Sequence, residues 1–103
     1  MYVGKDFDPS DVGEIEFYGF DFTAILGTNE SITGATWVCS VVSGTDATPA
    51  SRLSGSPSNT ATISTQKIAT LIGGVQYRLQ AVVTTSAGQT LSLWSHVICN
   101  VPT

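Results

Sequence analysis

The sequence predicts an all-β sandwich of about seven strands, entered through an extended N-terminal arm. Three features point to it. Apolar residues alternate at period two along most of the chain, the pattern of strands with one buried face. Turn signals recur every ~8–12 residues, the spacing of two facing sheets. No segment longer than a turn or two repeats at helical period. The chain has 103 residues, enough for one domain with one core.

Residues 1–14 are polar and acidic, contain Pro9 and alternate poorly, so they are expected as an extended arm outside a sandwich spanning 15–103. In the first strand, expected over 15–26, Tyr18, Phe20 and Phe22 share one face. The second covers 31–42, with Trp37 as its largest candidate for burial. Residues 43–60 are rich in Ser, Gly, Thr, Pro and Ala. Arg52 and Leu53 are placed there in a short edge strand, because Pro49 and Pro57 disfavour a central position. Residues 61–72 hold one or two short strands. Gly73-Gly74 is a turn, and 76–85 is the clearest strand, with Tyr77, Leu79, Ala81 and Val83 on one face. Ser86-Ala87-Gly88-Gln89 turns into the last strand, 90–101. There Leu91, Leu93, Val97 and Cys99 oppose Trp94, His96 and Ile98. Trp94 is then either an exposed aromatic fit for an interface or, if the strand bulges, a core residue. The expected core includes Phe20, Phe22, Trp37, Leu71, Gly74, Tyr77 and Leu79.

Charged residues make up 12% of the chain, about half the usual ~25%. Neutral polar groups, 12 Ser and 14 Thr, must therefore cover the surface. The net charge is −4, which argues against nucleic acid, whose phosphates need a basic face. No run approaches the ~18 apolar residues of a membrane span. The first residues lack a basic and an apolar leader region, so synthesis in a cytoplasm is expected. Cys39 and Cys99 lie in apolar strands and are expected as buried free thiols. Asp6, Asp8, Asp11, Glu14, Glu16 and Asp21, six of the eight carboxylates, fall in the first 21 residues, against Lys5 alone.

Leu71-Ile72-Gly73-Gly74-Val75-Gln76-Tyr77 resembles the corner of immunoglobulin and fibronectin-III sandwiches, in which a Tyr near a strand start sends its hydroxyl back to upstream backbone. Gly73 stands where fibronectin-III domains usually have Pro. A second resemblance covers most of the chain except 43–60. Lys5-Asp6-Phe7-Asp8-Pro9-Ser10-Asp11-Val12 and Tyr18-Gly19-Phe20-Asp21-Phe22-Thr23 are similar to the opening of small tailed-bacteriophage virion proteins of the fibre–tail adaptor or neck-region type. Ile32-Thr33-Gly34-Ala35-Thr36-Trp37 and the Gly74–Gly88 strand and hairpin continue the likeness. Phe7-Asp8 interrupts that family's Lys-Asp-Pro start, and Gly13-Glu14 replaces more apolar residues. The resemblance implies an accessory subunit of the virion. It would bind other neck, tail or capsid proteins in multiple copies of a symmetric assembly.

No catalytic, cofactor or metal residues are assigned. Asp6, Asp8, Ser10 and Asp11 suggest a calcium loop, but Asp11 and Phe17 stand where an EF-hand needs Gly and Glu. His96, the only histidine, has no marked nucleophile for a triad and no Gly-x-Ser-x-Gly elbow beside it. Glu14 and Glu16 read as charges on a solvent face rather than a glycosidase pair. The expected interface comprises Lys5, Asp6, Phe7, Asp8, Pro9 and Asp11 of the arm, together with Trp94. The arm would supply charge complementarity and an apolar contact to a basic neighbour, and sparsely charged sheet edges would admit an added strand. The alternative is a carbohydrate- or receptor-binding module of the same fold, which would display an exposed aromatic cluster.

Overall fold

The computed structural model describes residues 1–101; Pro102 and Thr103, the last two positions of the expected domain, lie outside them. Seven strands are present: β1 (Ser10–Asp11), β2 (Ile15–Asp21), β3 (Ile32–Ser43), β4 (Leu53–Asn59), β5 (Ile63–Ala69), β6 (Gln76–Thr85) and β7 (Thr90–Asn100). They form a four-stranded sheet in the order β1-β7-β6-β3 and a three-stranded sheet in the order β2-β5-β4. All pairs are antiparallel except β1 with β7. β6 between β3 and β7, facing β5 between β2 and β4, follows the inner strands of an immunoglobulin-like sandwich, but the first strand departs from the constant-type order: β1 pairs in parallel with β7 of the larger sheet instead of lying beside β2.

The alternating residues meet between the sheets. Tyr18, Phe20, Phe22, Trp37, Leu71, Tyr77 and Leu79 are buried together with Ile68, Val75, Ala81, Val83, Leu93 and Val97. Trp37 stacks on Phe20 with ring centroids 5.1 Å apart. Its indole Nε1 crosses the core to donate to Ser64 Oγ at 2.9 Å. One polar contact thus ties β3 of the larger sheet to β5 of the smaller. Cys39 and Cys99 are buried free thiols, and burial pushes the Cys39 thiol up to about 12.

The tyrosine corner is present. Ile72 N–H donates to the Tyr77 hydroxyl at 3.1 Å, and that hydroxyl donates to Asp46 Oδ2 at 2.7 Å. Arg52 Nε lies 3.4 Å from the same carboxylate oxygen. The Arg52 guanidinium also donates to the backbone oxygen of Thr70, holding that β-branched residue at φ 57°, where L-residues are strained. Gly74 belongs to this corner rather than to the core. It is exposed in the turn at φ 81°, which glycine adopts freely, and its N–H donates to Cys99 O at 2.8 Å. At Gly73 a Cβ would collide with the Val101 side chain, so Pro there would require Val101 to move.

Several boundaries differ from those expected. The first strand stops at Asp21 because its carboxylate accepts from Thr23 N–H at 2.9 Å, an Asx turn that takes the backbone out of the ladder. Phe22 is still buried, but Ile25 N–H and Leu26 N–H both turn back to Phe22 O at 3.0 Å. Residues 61–72 hold one strand, ended at Thr70. Arg52 lies in a 3-10 turn, Pro49–Arg52, and only Leu53 belongs to the following edge strand. The β4–β5 register shifts between Ser54 and Ser58, around Pro57, which therefore owes no ladder bond. The buried Gln66 side chain satisfies that irregularity, its amide nitrogen donating to Ser54 O at 3.2 Å and Gly55 O at 3.0 Å.

Candidate interaction surface along the arm and the β2 edge

Residues 1–12 do not stand away from the sandwich as expected. They lie along the free edge of β7. Trp94 N–H donates to Met1 O at 3.0 Å, Val3 N–H to Trp94 O at 3.1 Å, Phe7 N–H to His96 O at 2.9 Å and Val12 N–H to Asn100 O at 2.9 Å. Ser10 and Asp11 pair in parallel with Cys99 and Asn100. The cause is the edge itself: β7 has a full row of outward backbone groups, and an unpaired edge takes whatever strand is at hand. Two side chains fix the register. Ser95, fully buried, donates from Oγ to Lys5 O at 2.6 Å. Phe7 packs edge-on against Tyr18 at 4.8 Å and tilted against Phe20 at 5.4 Å, bridging from the β7 edge to β2 of the other sheet.

The β6–β7 register runs without a bulge, so Trp94 faces outward and is not in the core. It is half-buried all the same. Tyr2 covers it with ring centroids 4.9 Å apart, His96 lies at 5.4 Å, and the Arg78 guanidinium carbon sits 5.8 Å from its ring centre. Tyr2 in turn donates to Asp6 Oδ1 at 2.7 Å. That bond raises the Tyr2 hydroxyl above its ordinary value, because the carboxylate favours the protonated form. His96 Nδ1 lies 3.9 Å from the same Asp6 oxygen, so the histidine sits within an aromatic and carboxylate patch under the arm.

Between the arm and β2 run two open grooves separated by Phe7. One, of about 490 Å³, is lined by Phe7, Asp8, Pro9, Glu16, Phe17, Tyr18 and Gly19. The other, of about 440 Å³, is lined by Val3, Lys5, Asp6, Phe7, Asp8, Gly19, Phe20 and Asp21. The expected interface residues Lys5, Asp6, Phe7, Asp8 and Pro9 therefore converge here. Asp11 and Trp94 do not: Asp11 sits at the turn into β2, where its N–H donates to Glu14 Oε1 at 2.7 Å, and Trp94 lies on the outer face of β7. Sequence reasoning did not assign Glu16, Phe17 or Asp21 to this surface. Phe17 alternates out of the face that buries Tyr18 and Phe20, and it is the most exposed large apolar residue of the described chain at 72%.

The carboxylates are held in defined places. Tyr18 OH donates to Glu16 Oε2 at 2.8 Å; burial first, then this bond, pushes the Tyr18 hydroxyl well above its ordinary value. The Thr23 hydroxyl and N–H hold the Asp21 carboxyl below the usual carboxylate range. Glu14 is occupied by the Asp11 N–H. Glu14 and Glu16 thus each serve a local hydrogen bond. Among the described residues no group of three His, Cys, Asp or Glu side chains is placed to hold a metal ion, and no helix is long and apolar enough to cross a membrane.

Fold and surface together define a β-sandwich whose arm and β2 enclose two open grooves, with Phe7, Asp8 and Gly19 shared by both. The chain belongs to the family of the podophage GP4 fiber-tail adaptor protein gp77, whose profile matches residues 10–93. This is a family of bacteriophage tail adaptors, structural components of the virion. The match begins at the first residue of β1, so positions 1–9 of the arm lie outside it. No curated protein and no solved structure gives a match.

Proposed function

We propose that the protein is a non-enzymatic adaptor subunit that joins neighbouring virion proteins, such as tail-fibre and neck components, through its acidic arm and free sheet edges. It does so in several copies of a symmetric assembly. The observation that carries this is the surface between the arm and β2. It gathers Asp6, Asp8, Glu16 and Asp21 beside exposed Phe17 and against Lys5 alone, an acidic and apolar face suited to a basic neighbour. Family membership supports the tail-adaptor role. Histidine and the paired glutamates, the obvious candidates for acid–base chemistry, are engaged in structural contacts.

The test is particle composition. Purified virions of a phage carrying this gene should contain the protein. Particles made without it should lack whatever component it attaches, seen as missing density at the neck or tail. Asp6→Asn with Asp8→Asn should lower its occupancy in particles several-fold at physiological salt. Wild-type occupancy in that double variant would remove the arm from the interface, and absence of the protein from virions would remove the adaptor reading altogether.

A further inference from the structure

We infer that the free edge of β2 is a strand-addition site for a basic, alternately apolar, extended segment of another protein; this deepens the adaptor reading and rests on it. The backbone supplies the first argument. Phe22 N–H donates to Thr62 O at 2.7 Å in the register that pairs β2 with β5. Antiparallel pairs alternate between bonded and non-bonded, so Tyr18 and Phe20 turn their backbone groups toward β5, while Ile15, Phe17, Gly19 and Asp21 turn theirs outward. Thr60 N–H donates to Ile63 O on the opposite side of β5, which fixes the same alternation independently. The arm satisfies none of these outward groups; its backbone bonds go to β7. Four consecutive ladder positions are thus left open beside two grooves.

Side chains identify the occupant. An added strand would send alternate residues into the grooves over Phe7, Tyr18 and Phe20 and the others outward beside Phe17 and Ile15, which are 72% and 59% exposed. Carboxylates of Asp6, Asp8, Glu16 and Asp21 flank that path, so the segment carries Lys or Arg. A second copy of this chain does not fit. Its four cations, Lys5, Arg52, Lys67 and Arg78, all lie in different elements, and no strand presents two of them. The partner is therefore a different protein, recognised by main-chain pairing and charge.

The experiment uses the full chain, isotopically labelled, with a synthetic alternating Lys-Val decapeptide as probe and a Glu-Val decapeptide as control. The Lys-Val peptide should slow hydrogen exchange at the amides of Ile15, Phe17, Gly19 and Asp21 by tenfold or more, leave Tyr18 and Phe20 unchanged, and outbind the Glu-Val peptide at least tenfold. Gly19→Pro removes an outward N–H that β5 does not use and should abolish this protection. Asp8→Lys, at a side chain with no hydrogen bond to the described residues, should weaken binding severalfold with the fold intact and covers the case in which the proline variant does not fold. Protection on the β3 or β4 edge instead, equal binding of both peptides, no binding, or wild-type binding by Asp8→Lys would overturn the inference. Such a result leaves the adaptor reading standing if the protein is still found in particles. Absence from particles would remove that reading even if the β2 edge binds the peptide.

Discussion

At the scale of single residues, the two sheets are joined by a polar contact buried in an apolar core. Trp37 Nε1 and Ser64 Oγ are each other's partners at 2.9 Å, and both residues are buried. A neutral bond of this kind adds little net stability, but removing one partner strands the other without water, at a cost of about 1–3 kcal/mol. Ser64→Ala should therefore lower the unfolding free energy by about 1–3 kcal/mol, since the indole N–H then has nothing to meet. Trp37→Phe also loses the bond and some ring contact with Phe20. The double variant should cost less than the sum of the singles, because it leaves no orphaned group. Urea denaturation of the three variants gives the coupling. Strict additivity would mean that the bond does not exist in solution. The same logic governs Tyr77, whose hydroxyl serves Ile72 N–H and Asp46 at once and so fixes the turn that aims β6.

At the scale of elements, the arm is best described as an edge strand that the period-two pattern could not reveal. Its hold on β7 depends on Phe7 and on the Lys5 carbonyl. Phe7→Ala removes a partly buried ring from Tyr18 and Phe20 and should cost about 1–3 kcal/mol, less than a fully buried Phe. It should also speed hydrogen exchange at Val3 and Val12 more than within β6, because the arm would open locally before the sandwich does. Uniform acceleration across the chain would show instead that arm and sandwich open as one unit. Elements were legible where alternation was unbroken and turns were marked. β6 runs from Gln76 to Thr85 as its pattern indicates, between Gly73-Gly74 and Ser86–Gln89. They were obscured where an inward position is polar. Ser95 lies between Leu93 and Val97 on the buried face of β7. Without knowing that Lys5 O receives its hydroxyl, a bulge that buries Trp94 reads as well as a regular strand. Ser64 and Gln66 mask β5 in the same way, each satisfied by a group distant in sequence. The surface was legible in the clustering of carboxylates, but Phe17 was not, because an apolar residue on an outer sheet face looks in sequence like one more core residue. The docking of the arm was not, because it depends on an edge that exists only once β7 has folded.

At the scale of the whole molecule, titration sets limits on stability from both sides. On the acid side, Asp46, Asp21 and Glu30 all have carboxyls held below their ordinary values. For Asp46 the cause is first the Tyr77 hydroxyl and then Thr48 N–H; for Asp21 it is Thr23; for Glu30 it is Gly27 N–H and then the Thr85 hydroxyl. A carboxyl whose pKa is lower in the folded state stabilises the fold above its unfolded value and loses that contribution as the pH falls through its folded value. Stability should therefore decline below about pH 4, where unfolded carboxyls begin to bind protons. On the alkaline side the shifts are upward. Burial carries Cys39 from 9.0 to about 12. Burial and then the Asp46 bond carry Tyr77 from 10.0 to about 12. Groups raised in this way favour the fold fully below their unfolded values, and that advantage disappears as the pH climbs through their folded ones, because the unfolded chain ionises first. Thermal unfolding followed by circular dichroism across pH should show a plateau with an acid limb below about pH 4 and an alkaline limb beginning near pH 9. Cys39→Ala should leave the acid limb in place and make the alkaline limb shallower between about pH 9 and pH 10, the Cys99 thiol, also raised by burial, supplying the rest before the tyrosines take over. An alkaline limb just as steep in that variant would mean that the Cys39 thiol ionises as readily in the fold as in the open chain.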